Sequence, residues 1–252
     1  MKILTLARDL QRRKARERQN LFVVEGVRGV EELLRTGIPI KGVLSSSRLL
    51  ETPRGVALHA AIADRELPAE TVGEKEFATA ADTDSPQGVL AIGAVPQTRL
   101  SDLPHTPTLR LLVLDGVQDP GNVGTIVRTA AALGATATFA LPGTVDLWNA
   151  KVVRSGMGAH FHHPCLTGTW DELAEFRERR SVQLWAADVS GEPIRSATPP
   201  ERLALIVGNE GSGLSSQSRM RADRFVALPI ASTVESLNVA VAAGILLYEL
   251  DR

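Results

Sequence analysis

Apolar positions along the chain follow two rhythms, one on each side of a proline-bearing stretch that ends at Thr108. Before it the apolar runs are short. Arg8–Gln19 has helical spacing, Leu21–Val24 reads as a brief strand, and Val27–Arg35 reads as a helix that stops at Gly37. Lys41–Leu44 is strand-like ahead of a serine run, alternation continues through Val56–Ala63 and Lys75–Ala81, and a strand at Gly88–Ile92 closes the unit. The segment VPQTRLSDLPHTPT has three prolines and no apolar period, and reads as a linker.

From Leu109 the runs become strongly apolar. Strands are predicted at Leu111–Leu114, Ala137–Ala140, Gln183–Ala187, Leu203–Val207 and Phe225–Leu228, with Ala159–Pro164 extended. Helices are predicted over Val123–Leu133, Asn149–Met157 and Asp171–Arg180. Buried strands joined by helical crossovers imply a parallel sheet covered on both faces, and such sheets bind ligands outside the strands' carboxyl ends. The chain finishes with LPIASTVESLNVAVAAGILLYELDR, a polar turn at Ala231–Glu235 followed by a helix apolar almost all round, of the kind normally buried. Asn238 interrupts it with donors and acceptors that must be satisfied. The expected organisation is an α/β unit over 1–95, a linker over 96–108 and a parallel-sheet α/β domain over 109–252.

Length and composition agree with this division. The 252 residues exceed one domain of roughly 100–150 residues. Hydrophobic content of 44% with 23% charge is that of a globular protein, and no apolar run approaches the roughly 20 residues that cross a bilayer. The opening MKILTLARDL lacks a signal-peptide apolar core, so a cytoplasmic location is expected. Cys165 is the single cysteine, which excludes an intramolecular disulfide and any cysteine-rich zinc site. Charge is uneven. Residues 1–50 hold 11 Lys/Arg against 5 Asp/Glu in a chain of net charge −1, densest in RDLQRRKARER from Arg8 to Arg18. That basic end suits either a polyanionic partner or a solvated helix face.

Three loops carry candidate chemistry. In LDGVQDPGNVGTIVRTAAALGA, a strand turns into a helix opened by Asn122 and Gly124, with Arg128 six residues after Asn122. Free N–H groups at a helix start favour anions, and an arginine there would bind phosphate or stabilise developing negative charge. An Asn cap, a packing glycine and a surface arginine would give the same pattern. In LALIVGNEGSGL, Gly208, Gly211 and Gly213 permit close backbone approach, and Glu210 is the ionisable group of the turn. The order is neither a dinucleotide fingerprint nor a phosphate-binding P-loop. In the C-terminal stretch Ser236 and Asn238 flank Leu237 at the mouth of the last helix, while Ser232 with Glu235 also fits a capping box. Three strand-end loops should converge at the sheet's carboxyl edge.

Two further clusters weigh less. The run AHFHHPC puts His160 and His162 on one strand face and His163 on the other, with no second cluster to complete four ligands, so no metal is expected. Trp185 and Asp188 sit near another strand's end, where the tryptophan suits the core and the Ala186–Asp188 backbone suits the wall of the shared pocket.

Taken together, Asn122-x-Gly124-x-x-x-Arg128, Gly208-x-Glu210-x-x-Gly213, and Leu228-Pro229 followed by Ser236-Leu237-Asn238 resemble the SpoU family of RNA ribose 2′-O-methyltransferases, within the SPOUT superfamily. FVVEGVRGVEELL and SPQGVLAIG in the first unit look like the ribosomal-protein-like RNA-binding domain that many such enzymes carry. The resemblance implies a deep trefoil knot in the C-terminal domain, a homodimer through that domain, and S-adenosylmethionine as methyl donor. The donor would be held around Gly208, Leu228, Ile230, Ser236, Leu237 and Asn238. It assigns Arg128 to activation of the 2′-hydroxyl, with Asn122, Glu210, Ser236 and Asn238 positioning RNA and cofactor. Because a guanidinium stays protonated to a pKa above about 12, Arg128 is physically easier as a cation for an emerging alkoxide or neighbouring phosphate than as a general base. Both roles stay open. The extra N-terminal domain favours 23S ribosomal RNA as substrate over transfer RNA. A non-enzymatic RNA-binding assembly protein and a nucleotide-dependent oxidoreductase are the rival readings. The intact motifs speak against the first and the absent G-x-G-x-x-G against the second.

Overall fold

The computed structural model describes residues 2–231 and 233–250. In chain order the elements are α1 (Ile3–Asp9), α2 (Arg13–Gln19), β1 (Leu21–Glu25), α3 (Val27–Leu34), β2 (Ile40–Ser45), α4 (Pro53–Asp64), β3 (Ala69–Thr71), α5 (Glu74–Ala78) and β4 (Val89–Ala94). There follow β5 (Leu109–Asp115), α6 (Pro120–Ala132), β6 (Ala137–Ala140), α7 (Ala150–Ser155), β7 (Cys165–Thr167), α8 (Trp170–Arg180), β8 (Gln183–Pro193), β9 (Arg202–Gly208), α9 (Ser216–Arg221), β10 (Arg224–Ala227) and α10 (Val239–Leu250). They form two compact units. One comprises the chain up to Gln97 together with Trp148–Phe161, the other Thr98–Leu147 with the chain from His162.

The N-terminal unit has a four-stranded sheet in the order β1-β4-β2-β3, antiparallel except for the β2–β3 pair. Leu10, Leu44, Phe77, Leu90 and Ile92 fill its core. The helical spacing expected over Arg8–Gln19 is split into α1 and α2. The Asp9 carboxylate accepts from Arg12, Arg18 and Gln19, and Leu10 is buried at the break, so side-chain bonding closes a turn where propensity alone would continue the helix. Trp148–Phe161 joins this unit because Phe22 of β1 packs on Trp148, with ring centroids 4.6 Å apart, and on Phe161 at 5.8 Å. The boundary expected from sequence, at residue 109, places this stretch in the C-terminal part.

The C-terminal unit is a six-stranded, wholly parallel sheet in the order β10-β8-β9-β5-β6-β7. Its central strands β5 and β9 are near-continuous runs of buried Leu, Val and Ile, as a sheet covered on both faces requires. Leu100 and Leu103 pack into this core, so the proline-bearing segment 96–108 is anchored here. Two local expectations are corrected. Ala159–Pro164 is not extended: Met157 and Gly158 adopt φ of +48° and +90°, turning the chain into a 3-10 turn at Ala159–Phe161 before β7. His160 and His163 are consequently buried and His162 is exposed, so the alternating faces expected of a strand are absent.

The last helix also departs from its expected burial. Ala240, Ala243, Leu246, Leu247 and Leu250 are buried, whereas Val241, Ile245 and Tyr248 are 51%, 39% and 51% exposed. One face of α10 packs on α6, closely enough that a Cβ on Gly244 would lie 3.1 Å from the Thr129 methyl. The opposite face is an apolar stripe at i, i+4, i+7 spacing. Ser232 of the expected capping box lies outside the described residues, and the cap of α10 is Asn238, whose Oδ1 accepts from the N–H groups of Ala240 at 2.9 Å and Val241 at 3.3 Å.

Candidate functional site

The loop between β5 and α6 is built by caps. Asp119 caps α6, its carboxylate accepting from the Asn122 N–H at 2.8 Å, and Pro120 takes the first helical position. Asn122 is therefore not the cap, and its side chain is left for other partners. Its Nδ2 donates to Glu210 Oε1 at 3.0 Å, while its Oδ1 accepts from Asn238 Nδ2 at 2.9 Å. Because a carboxylate can only accept, Glu210 fixes which end of the Asn122 amide faces it, and Asn122 in turn fixes Asn238. Residues 88 and 116 positions from Asn122 are thus joined in one hydrogen-bonded chain that ends on the backbone of α10.

Glu210 is held from several sides. The N–H groups of Gln118 and Asp119 donate to it at 3.2 and 3.1 Å. Burial by itself would raise its pKa; the Asn122 amide and the backbone N–H donors outweigh that and hold the carboxyl below the usual carboxylate range. Its loop is closed by neighbours. Asn209 donates to the Gly116 carbonyl at 2.8 Å and accepts from Gly211 N, Ser212 N and Ser212 Oγ. A Cβ on Gly208 would sit 2.4 Å from the Gly213 carbonyl carbon and 2.6 Å from Leu214 N, so only glycine fits beneath the returning backbone, where Gly213 has φ +68°.

A cavity opens beside this chain. Leu228, Ile230, Ser236 and Leu237 line it together with Ala187 and Asp188 at the end of β8. Gly208 and Asn238 are not among the lining residues; they sit at the end of β9 and at the cap of α10. Arg128 lies on the exposed face of α6 with Thr125. The walls suit S-adenosylmethionine: apolar Leu228, Ile230 and Leu237 can enclose an aromatic base, with Ser236 and Asp188 as polar groups for the rest of the donor.

The profile of the SpoU rRNA Methylase family matches residues 110–248. The chain belongs to the SpoU family. The first unit is matched over residues 3–91 by the MRM3-like substrate binding domain. Among relatives, the chain is similar to the 23S rRNA (guanosine(2553)-2'-O)-methyltransferase RlmP of Bacillus subtilis, at 33% identity over 96% of this chain and 93% of that one. It is also similar to the AdoMet-bound rRNA methyltransferase from Sinorhizobium meliloti, with TM-score 0.85 and 30% identity covering 98% and 93% of the two chains. The SpoU methyltransferase AviRb from Streptomyces viridochromogenes, in complex with AdoMet, superposes with TM-score 0.88 at 26% identity, covering 99% and 96%.

Several residues of the SpoU domain escaped the sequence reading. Asp115, 5% exposed at the end of β5, accepts from Ser215 N at 2.7 Å and from Ser218 Oγ, tying the start of α9 to the central strand. Its place after four apolar residues was the available signal. Asn209 and Asp119 give none beyond their turn-forming type. Of the histidine run, His163 Nε2 lies 2.9 Å from Thr138 Oγ1, and burial lowers its pKa to about 4. Among the described residues no group of three or more His, Cys, Asp or Glu side chains could hold a metal ion.

Proposed function

We propose that this SpoU-family chain is a methyltransferase that uses S-adenosylmethionine to methylate a ribose 2′-hydroxyl of structured RNA, with 23S ribosomal RNA as substrate. The observation that carries the site assignment is the chain Glu210–Asn122–Asn238, which joins the three motif loops next to the cavity. The donor, when bound, supplies a methyl group on a sulfonium that is open to in-line attack. Leu228, Ile230, Ser236, Leu237 and the loops of Gly208 and Asn238 would hold it. The protein's remaining work is alignment of two substrates and management of a hydroxyl that is a poor nucleophile.

Glu210 is in this reading a positioning residue. Its oxygens are occupied by backbone N–H groups and an amide, and its depressed pKa makes it a weak base. Asn122 and Asn238, with their amide orientations set by that carboxylate, present fixed polar edges to the RNA. Arg128 supplies a permanent cation that stabilises the 2′-oxygen as its proton leaves to water, or anchors the adjacent phosphate.

The same reading includes a homodimer through α10, supported by the exposed stripe Val241, Ile245 and Tyr248. It includes a deep trefoil knot in the C-terminal domain, a reading with which the return of Asn238 onto Asn122 after β9 and β10 is consistent. Location in the cytoplasm belongs to the same reading; among the described residues no helix is long and apolar enough to cross a membrane. Incubating the purified protein with methyl-labelled donor and total RNA from a strain lacking it tests the proposal. Label in ribose-methylated nucleosides of large-subunit RNA is expected. Label confined to transfer RNA would move the substrate, and no transfer to any RNA would favour a non-enzymatic assembly protein.

A further inference from the structure

The cavity wall is chemically uneven. Among the described residues Asp188 is the one lining residue with an ionisable side chain; the others are apolar apart from Ser236. It belongs to a five-residue excursion, Ala187–Gly191, between two stretches of β8 pairing. Arg224 and Phe225 face Trp185 and Ala186, and the next residues of β10, Val226 and Ala227, face Glu192 and Pro193. The end of the excursion lies close against β10. A Cβ on Gly191 would lie 2.6 Å from both Phe225 C and Val226 N.

The Asp188 side chain is only 9% exposed. Ser190 donates to its Oδ1 from N at 2.9 Å and from Oγ at 2.6 Å, and Arg219 of α9 pairs with Oδ2 at 2.8 Å. Burial opposes ionisation here, but the Ser190 donors and Arg219 more than compensate and hold the carboxyl below its usual range. Arg219 is 48% exposed, so water and salt screen its charge more than that of the carboxylate.

We propose that Asp188 is a specificity-determining residue of the cavity, whose fixed carboxylate favours a cationic sulfonium donor over the neutral thioether product. The proposal rests on the methyl-donor reading of the cavity given above. The physical reason is that a charge pair within a few ångströms in a partly desolvated site is far stronger than in water, and methyl transfer removes the ligand's half of the pair. Product would then be held less tightly than donor, and turnover would be favoured.

Calorimetric titration of the full chain with S-adenosylmethionine and, separately, S-adenosylhomocysteine tests this without reference to activity. Asp188→Asn keeps the shape and one acceptor for Ser190; it should weaken the donor roughly tenfold and the product less than about threefold. Arg219→Gln keeps the carboxylate and removes its counter-cation, and should leave the preference for donor over product at least as large as in the wild type. Equal weakening of both ligands by Asp188→Asn, or loss of the preference in both variants alike, would mean that the residue only shapes the excursion and would overturn the proposal. A wild-type protein that binds neither ligand would instead overturn the donor reading itself.

Discussion

Replacing Asn122 by alanine removes the middle of the chain that joins Glu210 to α10. Two hydrogen bonds are lost, one to a carboxylate at 3.0 Å and one between amides at 2.9 Å. Bonds to charged groups are worth about 1.5–3 kcal/mol and neutral ones about 0.5–1.5 kcal/mol net, but Glu210 and Asn238 are exposed and water can replace much of each. The low end of both ranges applies, giving about 1.5 kcal/mol for the Glu210 pair and about 0.5 kcal/mol for the Asn238 pair. Glu210 keeps its two backbone donors in the variant, so its loop should stay in place. Double-mutant cycles in urea, pairing Asn122→Ala with Glu210→Ala and with Asn238→Ala, read those coupling energies directly. Methylation should fall well beyond what these small stability losses explain, because Asn238 then keeps its cap bonds to α10 but loses its tie to the β5–α6 loop. Strict additivity in both cycles, or full activity of Asn122→Ala, would refute the idea that the chain orders the site.

Other outcomes follow from the same geometry. Gly208→Ala drives a Cβ into backbone at Gly213 and Leu214, so it should cost about 2–3 kcal/mol, roughly 4–12 °C in melting temperature, and abolish donor binding. Glu210 has a folded pKa below its ordinary 4.5, so its stabilisation is fully present above that pH and is lost as pH falls through the lower folded value; Glu210→Gln should flatten that acid limb in a melting-temperature series. Ile245→Asp puts a charge in the exposed stripe of α10 and should yield monomers by light scattering while leaving the α10 face packed on α6 intact. Arg128→Lys keeps a cation but loses the planar fork, so methylation should drop at least tenfold with RNA affinity nearly retained; near-full activity would remove any special role for the guanidinium.

The parallel sheet was legible because its signal is local. Strands such as Leu109–Asp115 and Arg202–Gly208 are runs of Leu, Val and Ile that only a doubly covered sheet would bury. Elements fixed by side-chain bonding or backbone conformation were not legible. The break at Leu10–Arg12 depends on Asp9 accepting from three side chains, and β3 is the run Ala69–Thr71, which is barely buried and has no apolar pattern to betray it. The turn at Met157–Gly158 rests on two positive φ angles. For the site, the three loops stood out by residue type and order, and the resemblance tied them to one chemistry. That Asn122 spans the other two loops, that Asp119 takes over the cap, and that the excursion at Ala187–Gly191 brings a carboxylate to the cavity all depend on contacts between distant parts of the chain.

The central claim is ribose methylation of large-subunit ribosomal RNA, and the most direct measurement compares 23S RNA from a wild-type strain and a deletion strain by nuclease digestion and mass spectrometry. One 2′-O-methylated nucleotide should vanish in the deletion strain and return with the wild-type chain but not with Arg128→Ala. Identical ribosomal RNA in the two strains, or a missing methyl group on a base instead of a ribose, would contradict the account.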